Sequence, residues 1–118
     1  MIIYFKFEMN KMKVHLLCYA GNAVAAFSSR NKLLRSFTKR MQKKKYYQEI
    51  IDDVKNMLQG IYVNEYDERY KNISKESIQE ILNMLLGEDY NYGLFTYEQL
   101  RLCTDEDYSF YSLQIDTN

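Results

Sequence analysis

The fold is decided by residues 13–30, which read KVHLLCYAGNAVAAFSSR. Residues 13–20 alternate in the way that is typical of a half-buried β-strand, and residues 23–27 form another short apolar segment. Gly21-Asn22 lies between them and predicts a two-residue hairpin turn, because both residues tolerate positive φ angles. Ser28-Ser29 then predicts the start of a helix, since a serine oxygen can accept a hydrogen bond from a free N–H of the first turn.

The segments at the two ends of the chain also have strand character. Residues 2–8 place Ile3, Phe5 and Phe7 on one face, so residues 2–27 together predict a three-stranded meander. Residues 108–115 alternate similarly and predict a final strand, and residues 61–66 predict a short additional strand.

Helices are predicted between these strands. Residues 29–59 carry two apolar stripes at helical spacing, rotated from each other by about 120°. They predict either two helices broken near residues 42–45 or one long helix with different partners at each end, and we favour two. Ser74 predicts the start of a further helix that ends at Gly87, and Thr96 with Gln99 predicts a capping box and a short helix near residues 97–103.

The sum of these elements predicts a single α+β domain over residues 1–118. Its small, mostly antiparallel sheet would combine the N-terminal β-meander with the C-terminal strand and pack against three to four helices. The chain has 118 residues, of which 47% are hydrophobic, so it can bury a core. No stretch of the sequence approaches the roughly 18 apolar residues of a membrane span.

The two cysteines, Cys18 and Cys103, suit a reducing compartment, so we expect free buried thiols and a cytoplasmic protein. Residues 11–26 contain a basic start, an apolar stretch and small residues, as a signal peptide does. However, His15 and Gly21-Asn22 interrupt the apolar part, so export is not favoured.

Little in the sequence points to catalysis. His15 is the only histidine, and with two cysteines it cannot complete a usual zinc site. Residues 105–107 lack the spacing and the glycine of a calcium loop, and the four glycines are isolated, so no phosphate-binding loop is present. We therefore predict a non-enzymatic protein with no cofactor and no metal.

The charge distribution is the main functional signal. Residues 1–59 hold 12 basic and 4 acidic side chains, whereas residues 60–118 hold 4 basic and 12 acidic ones. The formal net charge of zero therefore conceals one half at +8 and one half at −8.

The basic half is densest over residues 29–45. On a helix, four of its cations would lie opposite the apolar stripe and form a continuous ridge: Lys32, Arg35, Lys39 and Lys43. Like charges at this spacing repel each other, and binding of an anionic partner would reduce the repulsion. Two further interpretations stay open: a solvated face neutralised by the acidic half, and nucleic-acid binding. A membrane surface is disfavoured because the core needs the apolar side of the helix. The candidate anion-binding residues are Lys32, Arg35, Lys39, Arg40, Lys43, Lys44 and Lys45.

The acidic half combines carboxylates with tyrosines in three clusters. Tyrosine offers a large, rigid contact area with a polar tip, which favours it at binding surfaces. These clusters predict contact with a cationic protein groove, although such tyrosines can equally close the edge of a core. The candidate protein-binding residues are Tyr66, Asp67, Glu68, Tyr70, Glu88, Asp89, Tyr90, Tyr92, Asp105, Glu106 and Asp107.

In general appearance the chain resembles small proteins of phages and mobile elements from AT-rich bacteria. The resemblance lies in the short chain, the Lys/Asn/Ile/Tyr bias, the Phe27-Ser28-Ser29-Arg30 junction and the Tyr/Asp/Glu clusters. Some such proteins, anti-CRISPR proteins among them, bind and block a host defence complex without catalysis, so the resemblance implies an inhibitor of a host nuclease or nucleic-acid-binding complex. The alternative is a small nucleic-acid-binding regulator that uses residues 29–45, and a third hypothesis is a homo-oligomer that pairs unlike halves.

Overall fold

The computed structural model describes residues 11–61 and 67–116. The strand predicted over residues 2–8 and most of that predicted over 61–66 lie outside the described residues. The elements follow in the order β1 (Lys11–Tyr19), β2 (Asn22–Phe27), α1 (Arg30–Gln42), α2 (Tyr47–Leu58), α3 (Asp67–Tyr70), α4 (Lys75–Leu85), α5 (Tyr97–Cys103) and β3 (Tyr108–Asp116). The protein is therefore α+β, as predicted.

The described strands form one antiparallel sheet in the order β2-β1-β3. β1 is central because it pairs with β2 through a hairpin and with β3 along its whole length, from Lys11 opposite Asp116 to Tyr19 opposite Tyr108. The C-terminal strand thus closes against the first described strand. This pairing is the longest-range organising contact of the fold.

The hairpin turn differs by one residue from the prediction. Tyr19 pairs with Asn22, so the two turn residues are Ala20 and Gly21, with φ angles of 51° and 84°. Two positive φ angles are those of a turn that matches the twist of the flanking strands. The Ala20 N–H donates to the carbonyl oxygen of Asp107 at 2.8 Å, which fixes the turn against the loop before β3.

Residues 29–59 form two helices, and the break falls where it was predicted. Ser29 caps α1, accepting a hydrogen bond from the Lys32 N–H at 3.2 Å, and α1 ends at Gln42. A turn over residues 43–46 then leads into α2, and Gly60 follows that helix with a φ of 75°. Because of the break, each helix can direct its own apolar stripe toward the core. The buried stripe of α1 contains Leu33, Leu34, Phe37 and Met41, and that of α2 contains Ile50, Ile51, Val54 and Met57.

The caps of the later helices also agree with the sequence. The Ser74 side chain accepts a hydrogen bond from Ser77 N–H at the start of α4, and the Thr96–Gln99 capping box is complete at the start of α5. Phe37 of α1 lies against both Tyr108 and Phe110 of β3, with ring centroids 5.3 and 4.9 Å apart. The helices therefore cover one face of the sheet. Both cysteines are free and buried, as predicted.

Candidate anion-binding site

The cationic ridge consists of Lys32, Arg35, Lys39 and Lys43, on α1 and at its C-terminus. All four side chains are exposed, while Leu34, Phe37 and Met41 on the opposite side of the helix are buried. The spacing of three, four and four residues keeps the cations on one helical face. Since a helix rises about 1.5 Å per residue, the ridge extends over about 16 Å.

At its C-terminal end the ridge opens into a depression of about 600 Å³, which we call the cationic pocket. Four cations line it: Lys39 and Arg40 from the last turn of α1, and Lys43 and Lys44 from the turn that follows the helix. None of the carboxylates that the structure describes lines this pocket. The lining residues are Ser36, Lys39, Arg40, Lys43, Lys44 and Tyr108.

Aromatic rings hold one of these cations in place. The Lys44 Nζ lies 5.2 Å from the ring centroid of Tyr19 and 5.7 Å from that of Tyr108. A cation over the face of a tyrosine ring is attracted by the ring quadrupole. Tyr108 is buried, Tyr19 is 39% exposed and Lys44 is half-buried, so the two rings position the ammonium group at the wall of the pocket.

The ridge cations are not neutralised by neighbouring carboxylates of the described residues. Within residues 11–61 and 67–116, the ion pairs join Lys71 to Glu68 at 3.3 Å and Arg101 to Glu98 at 3.0 Å, and both lie in the acidic half of the chain. The side chain of Lys32 instead donates to Ser28 Oγ at 3.1 Å. The interpretation of the ridge as a face neutralised by direct pairing with the described acidic residues therefore loses its support.

Arg30 is near the ridge in sequence but has a structural role. Its guanidinium donates to the carbonyl oxygen of Tyr92 and to that of Phe95, the latter at 2.7 Å. It also lies 4.7 Å from the centroid of the Phe95 ring. Arg30 therefore clamps the loop before α5 onto the start of α1, and Arg35 continues this contact, its guanidinium 5.2 Å from the centroid of the Tyr90 ring.

The tyrosines of the acidic half are largely used by the fold. Tyr70 and Tyr92 are buried, so their rings do not supply the binding surface predicted for them. The Tyr92 hydroxyl accepts a hydrogen bond from the Asp89 N–H at 2.9 Å, and burial raises the pKa of Tyr92 to about 12. Tyr90 is half-buried beneath Arg35. Tyr66 and the side chain of Asp67 lie outside the described residues.

The carboxylates predicted for protein binding separate into two groups. Asp105 is half-buried and accepts hydrogen bonds from the Tyr46 hydroxyl at 2.7 Å and from the Asp107 N–H at 3.0 Å. It therefore has a structural role, because it connects the start of α2 to the loop before β3. Burial, followed by this contact with Asp105, raises the pKa of Tyr46 above its ordinary value. The exposed carboxylates are those of Glu68, Glu88, Asp89, Glu106 and Asp107.

Two of the exposed carboxylates line a second depression, of about 380 Å³, which we call the acidic cleft. It also contains Glu98 and Arg101, which sequence reasoning did not single out because only the fold brings α5 beside the hairpin and β3. The lining residues are Ala20, Gly21, Tyr97, Glu98, Arg101, Glu106, Asp107, Ser109, Phe110 and Tyr111.

His15 belongs to the packing between the sheet and α5. It is buried, its Nδ1 lies 2.7 Å from the Tyr97 hydroxyl, and burial lowers its pKa. Among residues 11–61 and 67–116, no three His, Cys, Asp or Glu side chains come together as metal ligands.

No family model, curated protein or solved structure matches this chain. In the part of the chain that the structure describes, every helix is too short or too polar to cross a lipid bilayer.

Proposed function

We propose that this protein binds nucleic acid, without catalysis, through the cationic ridge and the cationic pocket. The observation that carries the proposal is the pocket itself: four Lys or Arg side chains converge on one depression, and no carboxylate among the described residues lines it. Such an arrangement is costly for an isolated domain, because like charges repel along the helix. A polyanion would relieve this repulsion and release its own counterions.

The dimensions of the ridge fit a nucleic-acid strand. About 16 Å of ridge corresponds to about five nucleotides at a rise of 3.4 Å each. The contacts available are lysine and arginine to phosphate, which position a strand without reading its bases. We therefore expect binding that depends on ionic strength more than on sequence.

The test measures fluorescence anisotropy of labelled duplex and single-stranded DNA and RNA at low and moderate salt. The double variant Lys39→Glu with Lys43→Glu reverses two charges of the pocket on exposed side chains. We expect it to weaken binding by at least tenfold. The matched control is Lys55→Glu with Lys75→Glu, which makes the same change in net charge on exposed side chains of α2 and α4.

The control separates a local site from a general charge effect. If the ridge is the site, the control retains most of the affinity. Equal losses in the two double variants, or no binding of any of the probes by the wild-type protein, would refute the proposal.

A second candidate function is favoured by the acidic cleft. Glu98, Glu106 and Asp107 line it together with Arg101, which pairs with Glu98 at 3.0 Å, so the cleft keeps an excess of negative charge that suits the cationic surface of another protein. This is the contact that the inhibitor hypothesis requires, in which the chain blocks a host nucleic-acid-handling or defence complex.

The second candidate is tested by calorimetric titration with an arginine-rich peptide. We expect Glu106→Lys with Asp107→Lys to abolish binding and Asp52→Lys with Glu76→Lys, a matched pair of exposed sites on α2 and α4, to preserve it. Binding that both double variants weaken equally would refute a local protein-binding site.

A further inference from the structure

The face of the sheet that points away from the helices is apolar. In an antiparallel pair, residues directly opposite each other lie on the same face. The register of β1 with β3 therefore places three uncharged pairs side by side, and we call these six residues the outer sheet face. The pairs are Met12 with Ile115, Val14 with Leu113 and Leu16 with Tyr111.

This face is exposed where a stable sheet would normally cover it. Met12, Tyr111, Leu113 and Ile115 are 44–52% exposed, and Val14 and Leu16 are half-buried. Val24 of β2, which is 43% exposed, adds to the exposed apolar surface of the sheet. The largest exposed apolar patch on a protein is often functional, so this face is a candidate interaction surface.

The opposite face of the same strands differs in composition from the outer sheet face. His15, Leu17 and Phe110 lie on the helix side and are buried. The exposed polar residues of that side include Lys13, Ser112, Gln114 and Asp116. The distal part of the sheet therefore directs its polar side chains toward the helix side and its apolar side chains away from it. A sheet with apolar residues on both faces is typical of a layer that is covered on both sides.

We propose that a second copy of this chain covers the outer sheet face, sheet against sheet, about a two-fold axis. A two-fold interface brings a patch against itself, so the patch has to be self-complementary. An apolar face without charge is compatible with this requirement, whereas the cationic ridge or the acidic cleft facing its own copy would repel it. Two sheets that pack face to face interdigitate their apolar side chains at a separation of about 10 Å.

The area agrees with a dimer of moderate stability. From the exposed fractions, these apolar side chains present roughly 400 Å², which is within the range of the largest patches on monomeric proteins. Two such faces with the half-buried side chains beside them supply on the order of 1,000 Å², near the lower limit of about 1,200 Å² for stable interfaces. We therefore expect dimerisation in the micromolar range.

The proposed dimer leaves the cationic ridge free. α1 packs through Phe37 against the helix side of the sheet, and the ridge lies on the side of α1 that faces away from the sheet. Dimerisation and nucleic-acid binding can therefore be tested and can fail independently.

The experiment is sedimentation equilibrium of the full chain at micromolar concentrations in moderate and high salt. We expect the mass of two 14.2 kDa chains at high concentration, with a dimer that persists at high salt because apolar contacts form it. Leu113→Lys places a charge on the outer sheet face and should give a monomer. Gln114→Lys places the same charge on the next residue, on the other face, and should remain dimeric.

Both substitutions are at exposed positions, and far-UV circular dichroism checks that each variant is folded. Should Leu113→Lys fail to fold, Ile115→Lys repeats the test nearer the end of β3. A monomeric wild-type chain, whatever covers its outer sheet face, overturns the proposal. So does a dimer that Leu113→Lys and Gln114→Lys affect equally, or one that dissociates in high salt, which would instead indicate pairing of unlike charges.

Discussion

The hydrogen bond between Tyr46 and Asp105 joins the start of α2 to the loop between α5 and β3, and its removal should destabilise the protein measurably. Tyr46→Phe deletes only the hydroxyl group and keeps the ring. A hydrogen bond to a charged acceptor contributes about 1.5–3 kcal/mol in general. Both side chains are half-buried, and Asp105 retains its hydrogen bond from the Asp107 N–H. We therefore expect the lower end, a loss of about 1.5 kcal/mol in the free energy of unfolding.

The same contact predicts a dependence on pH. Burial and then Asp105 raise the pKa of Tyr46, so the folded state holds the phenolic proton more tightly than the unfolded state does. The resulting stability is fully present below the ordinary tyrosine pKa of about 10 and is lost as pH rises above it. One such group lowers the free energy of unfolding by up to about 1.4 kcal/mol per pH unit in this range. Burial raises the pKa of Tyr92 to about 12, so Tyr46→Phe should reduce the slope without abolishing it.

The assay is urea denaturation followed by circular dichroism, between pH 7 and pH 11. A double-mutant cycle with Tyr46→Phe, Asp105→Ala and the double variant isolates the contact, and we expect a coupling energy of about 1 kcal/mol. A coupling energy near zero, together with a slope above pH 10 that Tyr46→Phe leaves unchanged, would refute the reasoning.

Two further predictions concern the hairpin turn and the buried thiol. Ala20 has a φ of 51°, which costs a residue with a Cβ about 1–2 kcal/mol, so Ala20→Gly should raise the free energy of unfolding by about 1 kcal/mol in urea titrations; a lower value would show that the turn is not strained. Burial raises the pKa of Cys103 to about 12, so at pH 8 its thiolate is almost absent and a thiol-specific reagent should label it only after unfolding. Mass spectrometry locates the label, and rapid modification of Cys103 in the native protein would contradict the burial that the structure shows.

Local features of the fold could be predicted from the sequence because their causes are local. Ser29, Ser74 and the Thr96–Gln99 pair each satisfy N–H groups within one turn of the chain, and each begins a helix as predicted. The break between α1 and α2 followed from the rotation of the apolar stripe. The hairpin turn was misplaced by one residue because contacts remote in sequence also act on it, among them the hydrogen bond from Ala20 to Asp107.

The candidate site was predictable only in part. The ridge follows from helical periodicity alone, so Lys39 and Lys43 could be selected without a structure. The pocket could not be predicted, because Tyr108 reaches it from the opposite end of the chain. The burial of Tyr92 was equally inaccessible, since it depends on the Arg30 clamp that fixes the loop before α5.

The apolar outer sheet face illustrates the same limit. The alternation of β3 shows that its two faces differ, but only the register with β1 shows that the apolar residues of both strands share the face opposite the helices. The periodicity of a sequence shows which residues of a helix or strand share a face. It does not show which other element packs against that face, because that depends on the tertiary structure.

The central claim, that the ridge binds the phosphate backbone, is tested most directly by the dependence of the dissociation constant on salt concentration. Each phosphate contact with duplex DNA contributes about −0.9 to the slope of log affinity against log salt, so four ridge contacts predict a slope of about −3.6. Lys39→Glu with Lys43→Glu should reduce the magnitude of that slope by about 1.8 or more. A double variant whose slope equals that of the wild-type protein would contradict the claim, because the phosphate contacts would then lie elsewhere.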